Sequence, residues 1–198
     1  MHRKPMILVY AGPNGSGKSS ITSYFSITGK YINADDIKRT TFCSDMQAAL
    51  KAEELREDCV RNLEDFTFET VLSTERNIQL LRKAKQRGFF IKSVFVLTAS
   101  PETNIIRVAA RVVSGGHNVP ADKIISRYWK SLNNLPELVR LSDVCHVYDN
   151  TETPTRIFKK KKYEEIVFPN DLWGASDITR LVSGIPEQKQ HVKNFHFM

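Results

Sequence analysis

The chain has 198 residues, of which 41% are hydrophobic and 26% charged, and its 29 Lys and Arg against 22 Asp and Glu leave a net charge of +7. These values exclude a disordered or fibrous polymer and leave room for one α/β domain with a substantial core rather than two. No apolar run nears the ~18 residues of a membrane span, and three scattered cysteines (Cys43, Cys59, Cys145) without a C-x-x-C pair exclude a disulfide framework.

The start MHRKPMILVY lacks the long apolar region of a signal peptide, so a cytoplasmic location is expected. Five histidines form neither H-x-x-x-H nor H-E-x-x-H, which implies no structural zinc. The first predicted element is a buried strand, Met6–Ala11, and it runs into GPNGSGKS, a full match to G-x-x-x-x-G-K-[ST]. Residues 20–25 can continue as a helix, so strand, loop and helix come in the order that this motif needs. Glycines 12, 15 and 17 let the backbone curl with its N–H groups inward, and a helix starting near Gly17 adds its unpaired donors and positive dipole end. A polyphosphate fits such a cradle. Gly12, Pro13, Asn14, Gly15, Ser16, Gly17, Lys18, Ser19 and Ser20 are therefore the candidate nucleotide site. Lys18 is placed to reach the β- and γ-phosphates and the Ser19 hydroxyl to ligate Mg²⁺. The competing reading is a glycine-rich structural turn.

A second strand is predicted at 31–33, followed by Asp35 and Asp36. In a doubly wound sheet, ligands gather at the carboxyl ends of the strands, so either carboxylate is a candidate base for an incoming hydroxyl. Helix capping by Asp35 and a first-turn dipole role for Asp36 are the alternative. A helix-period stretch at 44–64 leads to a third strand, Phe66–Thr70, with Glu69 near its ligand-side end. Thr70 or Ser73 could instead cap the next helix, at 74–87, which Gly88 is placed to stop. A fourth strand, at 89–98, ends in Thr-Ala-Ser-Pro instead of an acid. That disfavours a motor-type ATPase and favours a phosphotransferase whose acid lies elsewhere.

Ser100 and Pro101 read as the N-cap and first residue of a helix at 101–114. Ile105, Val108, Ala109 and Val112 form its apolar stripe, and Arg107 and Arg111, four residues apart on an adjoining face, are candidate phosphate clamps. The hinge-like stretch 114–120 contains His117 and leads to a helix at 120–132 carrying Arg127. An arm of this kind, laid over a nucleotide, would exclude water. A fifth strand is expected at 144–148. The pattern predicts a three-layer α/β/α sandwich around a mostly parallel sheet, with a core at 1–150, a helical lid around 101–132 and an appendage of the same domain at 151–198. The lysine run at 159–162 reads as an edge-protecting strand or hairpin, and a nucleic-acid partner is the lesser reading of the basic charge.

In order along residues 6–149, GPNGSGKS, INADDIKR, FTFETVLS, RVAARVVSGGHNVP and ADKIISRYWKSLNNLPEL make the chain resemble the zeta-toxin family of P-loop kinases. The resemblance implies a P-loop NTPase fold of the kinase type and ATP- and Mg²⁺-dependent phosphorylation of a hydroxyl on a UDP-N-acetylamino sugar. For the toxin members it also implies inhibition by a small antitoxin protein. By this resemblance Asp35 is the base, Lys18 and Ser19 hold ATP and Mg²⁺, and Arg107 and Arg111 contact the γ-phosphate. Glu69, Thr70 and Arg39 fall to the acceptor side. The chain is shorter than the larger toxins, and GGHNVP stands where their lid carries an arginine. His117 then takes that place, or Arg127 serves from the next helix. Two other readings stay open: a kinase for a different small hydroxylated molecule, and a nucleic-acid-associated NTPase.

Overall fold

The structure, a computed structural model, describes residues 3–116 and 118–184. Its strands are β1 Met6–Ala11, β2 Lys30–Ile32, β3 Phe66–Thr70, β4 Phe90–Leu97, β5 Val144–Asp149, β6 Thr155–Lys161 and β7 Glu164–Val167. They form one sheet in the order β2-β3-β1-β4-β5-β6-β7. The first five run parallel, and β6 and β7 are added antiparallel at one side. The helices are α1 Lys18–Thr22, α2 Ala34–Thr41, α3 Asp45–Asn62, α4 Glu75–Gln86, α5 Pro101–Val113, α6 Ala121–Leu141 and α7 Ala175–Ser183. This is the expected mixed α/β sandwich with a mostly parallel sheet.

The side-chain alternation along the strands divides the interior in two. Ile7 and Val9 of β1, Phe66 and Phe68 of β3, and Ile91 and Phe95 of β4 face a large core shared with α3, α4, α6 and α7. Leu8, Tyr10, Val94 and Val96 point the other way, into a small core closed by Ile21 of α1 and by Phe25. β1 is buried on both faces, which is why it reads as an unbroken apolar run rather than an alternating one. Because β1 to β5 are parallel, the segments that follow them emerge on one side of the sheet. The glycine loop, Asn33 with α2, the end of β3, Thr98 and Asn150 are brought together in this way.

Four elements differ from expectation. The helix after the glycine loop is only Lys18–Thr22, because hydroxyls compete for its carbonyls: Thr22 Oγ1 donates to Ser19 O (3.0 Å) and Ser23 Oγ to Ser20 O (2.9 Å). Residues 34–41 form α2, whose N-cap is Asn33 and not Asp35; the Asn33 side chain accepts from Asp35 N at 2.9 Å. α4 begins after Thr74 without a side-chain cap, so neither Thr70 nor Ser73 caps it. α6 runs to Leu141 with Pro136 inside it, since Leu135, Leu138, Val139 and Leu141 continue its buried face. The lysine run lies on β6 and in the turn to β7, as a hairpin, but β7 is the edge and β6 is paired on both sides.

Candidate active site

Gly17 begins α1 from a left-handed conformation, φ 82°, and the loop before it is braced from behind by two amides. Asn104 Nδ2 on α5 donates to Asn14 O at 2.7 Å, and Asn150 Nδ2, after β5, donates to Ser16 O at 2.8 Å. The approach is so close that a Cβ at Gly15 would stand 2.5 Å from Asn104 O, and one at Gly17 would stand 2.1 Å from Asn150 Nδ2. Glycine is required at both positions by contact as well as by φ. Asn104 is itself fixed, since the Thr98 hydroxyl donates to its Oδ1 and the buried Tyr128 hydroxyl donates to Thr98 O at 2.6 Å. Gly12 N donates to Thr70 O at 3.2 Å and so joins the loop to the end of β3.

Lys18 Nζ lies back on the loop, donating to Gly12 O (2.7 Å) and Pro13 O (3.0 Å). Burial lowers its pKa from 10.5 to about 8; Glu69 acts to raise it and Arg111 to lower it further. Ser19 and Ser20 are exposed beside it and line a cleft of about 520 Å³, a small-molecule size. The loop lines it together with Arg107, Val108 and Arg111 of α5. Asn33, Ala34 and Asp35, Glu69, Thr70 and Val71 at the end of β3, and Arg56 of α3 complete the lining.

Glu69 is held in place. Its Oε1 accepts from the Tyr31 hydroxyl at 2.6 Å, and that hydroxyl accepts from Asn33 Nδ2 at 3.2 Å. Burial first, and then the bond to Glu69, raise the phenol's pKa, so Tyr31 stays a donor. Thr70 Oγ1 accepts from Leu72 N (2.9 Å) and Asn77 Nδ2 (2.8 Å), and its own proton is left to be donated. The two adjacent aspartates part company: Asp35 lines the cleft, while Asp36 accepts from Arg39 at 2.7 Å outside it.

The cleft therefore collects Lys18, Ser19, Asp35, Glu69, Thr70, Arg107 and Arg111, but not on equal terms. Arg107 donates to Asn150 O (2.7 Å) and Thr151 O (2.9 Å), so its terminal nitrogens hold the post-β5 segment and the expected pair of clamps is divided. Arg127 is not on the cleft wall; its Nη1 reaches Asn14 Oδ1 at 3.5 Å from α6. Arg39 stays on the surface in its ion pair with Asp36. His117 lies outside the described residues. Asn104, Asn150, Tyr31 and Arg56 were not foreseen. Asn150 directly follows a strand on the ligand side, which is a usable signal, whereas Arg56 looks like any charged residue of a helix.

Among the described residues no group of three His, Cys, Asp or Glu is placed to hold a metal ion. The Ser19 hydroxyl lines the cleft at the start of α1, and it would suit Mg²⁺ carried in on phosphates, the mode in which that ion needs few protein ligands. No helix of the described residues is long and apolar enough to cross a membrane.

No family model matches the chain. An uncharacterized protein of Haemophilus influenzae is 31% identical to it over 127 residues, 61% of this chain and 91% of that protein. Among solved structures, a chain of the AvrRxo1-ORF1:-ORF2 complex with ATP has a TM-score of 0.69 at 14% identity, over 95% of this chain and 66% of that one. A chain from the PezAT chromosomal toxin-antitoxin system of Streptococcus pneumoniae has a TM-score of 0.57 at 17% identity, over 94% of this chain and 82% of that one. This chain thus spans just under two thirds of the AvrRxo1 chain. At these identities the likeness is one of fold alone, that of a mixed α/β sandwich around a mostly parallel sheet.

Proposed function

The chain belongs to the family of the uncharacterized Haemophilus influenzae protein, and we propose that it is an ATP-dependent phosphotransferase acting on a hydroxyl of a small molecule. The observation that carries this reading is one cleft of about 520 Å³ that a braced glycine loop and Lys18 line together with the carboxylates of Asp35 and Glu69. When bound, ATP supplies the phosphoryl group, and Mg²⁺ offsets its charge. Lys18, now on the carbonyls of Gly12 and Pro13, would hold phosphate oxygens, and the Ser19 hydroxyl would ligate the metal. Asp35 takes the proton from the acceptor hydroxyl. Glu69, fixed by Tyr31, and Thr70, with a proton to donate, orient the acceptor. Arg111 acts on the charge that develops in transfer, with Arg127 in reserve beside Asn14, while Arg107 works mainly by holding the segment after β5.

A UDP-N-acetylamino sugar is the acceptor that the sequence resemblance favours, and another hydroxylated metabolite is the alternative. A small antitoxin-like protein is part of the same proposal as a candidate partner, supported by the AvrRxo1-ORF1:-ORF2 complex and the PezAT system among the structural relatives. The test is an acceptor screen with ATP and Mg²⁺, read by mass spectrometry. Gain of one phosphoryl group by UDP-N-acetylglucosamine supports the first acceptor, and gain by another hydroxyl compound the second. ATP hydrolysis stimulated by DNA or RNA, with no labelled small molecule, contradicts the proposal.

A further inference from the structure

Edge protection does not explain the lysine run at 159–162, since β6 is paired on both sides. Its residues divide between the two faces of the sheet. Cys145 and Val147 of β5 face the large core, so Val144, His146 and Tyr148 face the other way. Lys161, Lys159 and Arg156 of β6 stand opposite those three and share their face. Lys92 of β4, paired with Val144, joins them from the other side. Lys160 goes to the large-core side, where its Nζ donates to Val139 O at 2.7 Å. After burial, the charges of Arg156, Lys92 and Lys159 are what lower the His146 pKa, so these cations stand around one point. Among the described residues none of Lys92, Arg156, Lys159 and Lys161 forms an ion pair. Glu164, opposite Lys161 on β7, shares the face without pairing to it. Like charges gathered in this way repel one another, and an anion from outside would relieve them.

The row is too long for one small anion, because from Arg156 to Lys161 the strand runs roughly 15 Å. Rings accompany the charges. Tyr148 stands opposite Arg156, whose guanidinium lies 4.8 Å from the Phe168 centroid, and Lys92 Nζ lies 5.2 Å from that of Phe25. A single-stranded nucleic acid matches both features, with phosphates repeated along its length and the π-faces of unpaired bases between them. A duplex hides its bases, and an acidic peptide has none. Residues 185–198 carry Lys189 and Lys193 against Glu187, and a second copy of a chain of net charge +7 would bring the same cations, so neither matches this face. We propose that the face of β4, β5 and β6 turned away from the large core docks a single-stranded nucleic acid, its phosphates on Lys92, Arg156, Lys159 and Lys161 and its bases beside Tyr148. None of these residues lines the cleft, so the inference stands apart from the phosphotransferase reading and asks for no effect on ATP turnover.

The test follows a fluorescein-labelled oligouridine of twelve residues by anisotropy, with the whole chain in saturating β,γ-methylene ATP and Mg²⁺ so that the cleft is filled. Wild type should bind it, more weakly as salt rises. Lys159→Gln with Lys161→Gln should weaken binding about tenfold near 0.15 M salt and lower the slope of log K against log salt by about 1.4, two phosphate contacts at ~0.7 each. Lys51→Gln with Lys123→Gln removes the same charge from α3 and α6 and should bind as wild type. Tyr148→Leu should weaken binding about fivefold or more with the salt slope unchanged, as loss of stacking and not of charge requires. Should the Lys159 and Lys161 pair fail to fold, Lys92→Gln carries the charge test, with half the change in slope. The inference is overturned if wild type does not bind the oligouridine, if the Lys159 and Lys161 pair binds as wild type does, or if the Lys51 and Lys123 pair loses as much. Tighter binding of an RNA duplex or of phosphatidylserine vesicles than of the oligouridine would also overturn it.

Discussion

Lys18 shows how one side chain can hold two states of a site. In the structure its ammonium is spent on the carbonyls of Gly12 and Pro13, and burial has brought its pKa from 10.5 to about 8. Phosphate oxygens arriving beside it would favour the charged form and raise that pKa again. At pH 8.5, therefore, nucleotide binding should take up a fraction of a proton, seen by calorimetry in buffers of different ionisation enthalpy. In Lys18→Met the uptake should vanish and ATP should bind weakly. Proton uptake unchanged in that variant would assign it to another group. The same shift has a sign for stability. Between about pH 8 and 10.5 the unfolded chain binds more protons at Lys18 than the folded one, so this residue makes stability rise with pH across that window. Lys18 was legible from the motif alone; its resting contacts were not, because they depend on carbonyls that every sequence has.

At the scale of elements, the loop depends on side chains far from it in the chain. Asn104 comes from α5 and Asn150 follows β5, yet between them they fix the carbonyls of Asn14 and Ser16. Asn150→Ala should leave Ser16 O buried and unpaired. It should lower stability by about 1–3 kcal/mol in chemical denaturation and also weaken nucleotide binding. A loss of stability with unchanged nucleotide affinity would reduce Asn150 to a packing residue. The parallel strands β1, β3, β4 and β5 could be read from apolar runs because they are covered on their faces and bounded by turns or helices. α2 and the true extent of α6 could not. The N-cap of α2 is an asparagine that the strand pattern had claimed, and α6 carries a proline past which its buried face continues. The cooperation of amides around the loop joins residues 90 and 134 positions apart, and no local pattern reports that.

For the molecule as a whole, the two faces of the sheet are unequally covered, and the thinner one carries a pH liability. His146 on β5 sits there beside Phe25 and Tyr148, with Nδ1 buried and unpaired. Burial first, then the charges of Arg156, Lys92 and Lys159, lower its pKa from 6.5 to about 4. The unfolded chain therefore binds the proton earlier on acidification, so this contribution to stability is intact above pH 6.5 and is lost as pH falls towards 4. Melting temperatures followed over that range should fall less steeply in His146→Gln than in wild type; parallel curves would acquit this residue. The opposite end of the sheet gathers the ligand-side segments, and it is there that the functional claim stands or falls. The most direct measurement is transfer of ³²P from [γ-³²P]ATP to the small molecules of a metabolite extract by wild type, Asp35→Asn and Asp36→Asn, with ATP affinity measured in parallel. The account predicts a labelled small molecule with wild type, transfer reduced roughly 10²–10⁴-fold in Asp35→Asn at near-normal ATP affinity, and a far smaller effect in Asp36→Asn. Asp35→Asn transferring phosphate as fast as wild type, or wild type binding ATP without labelling any small molecule, would contradict it.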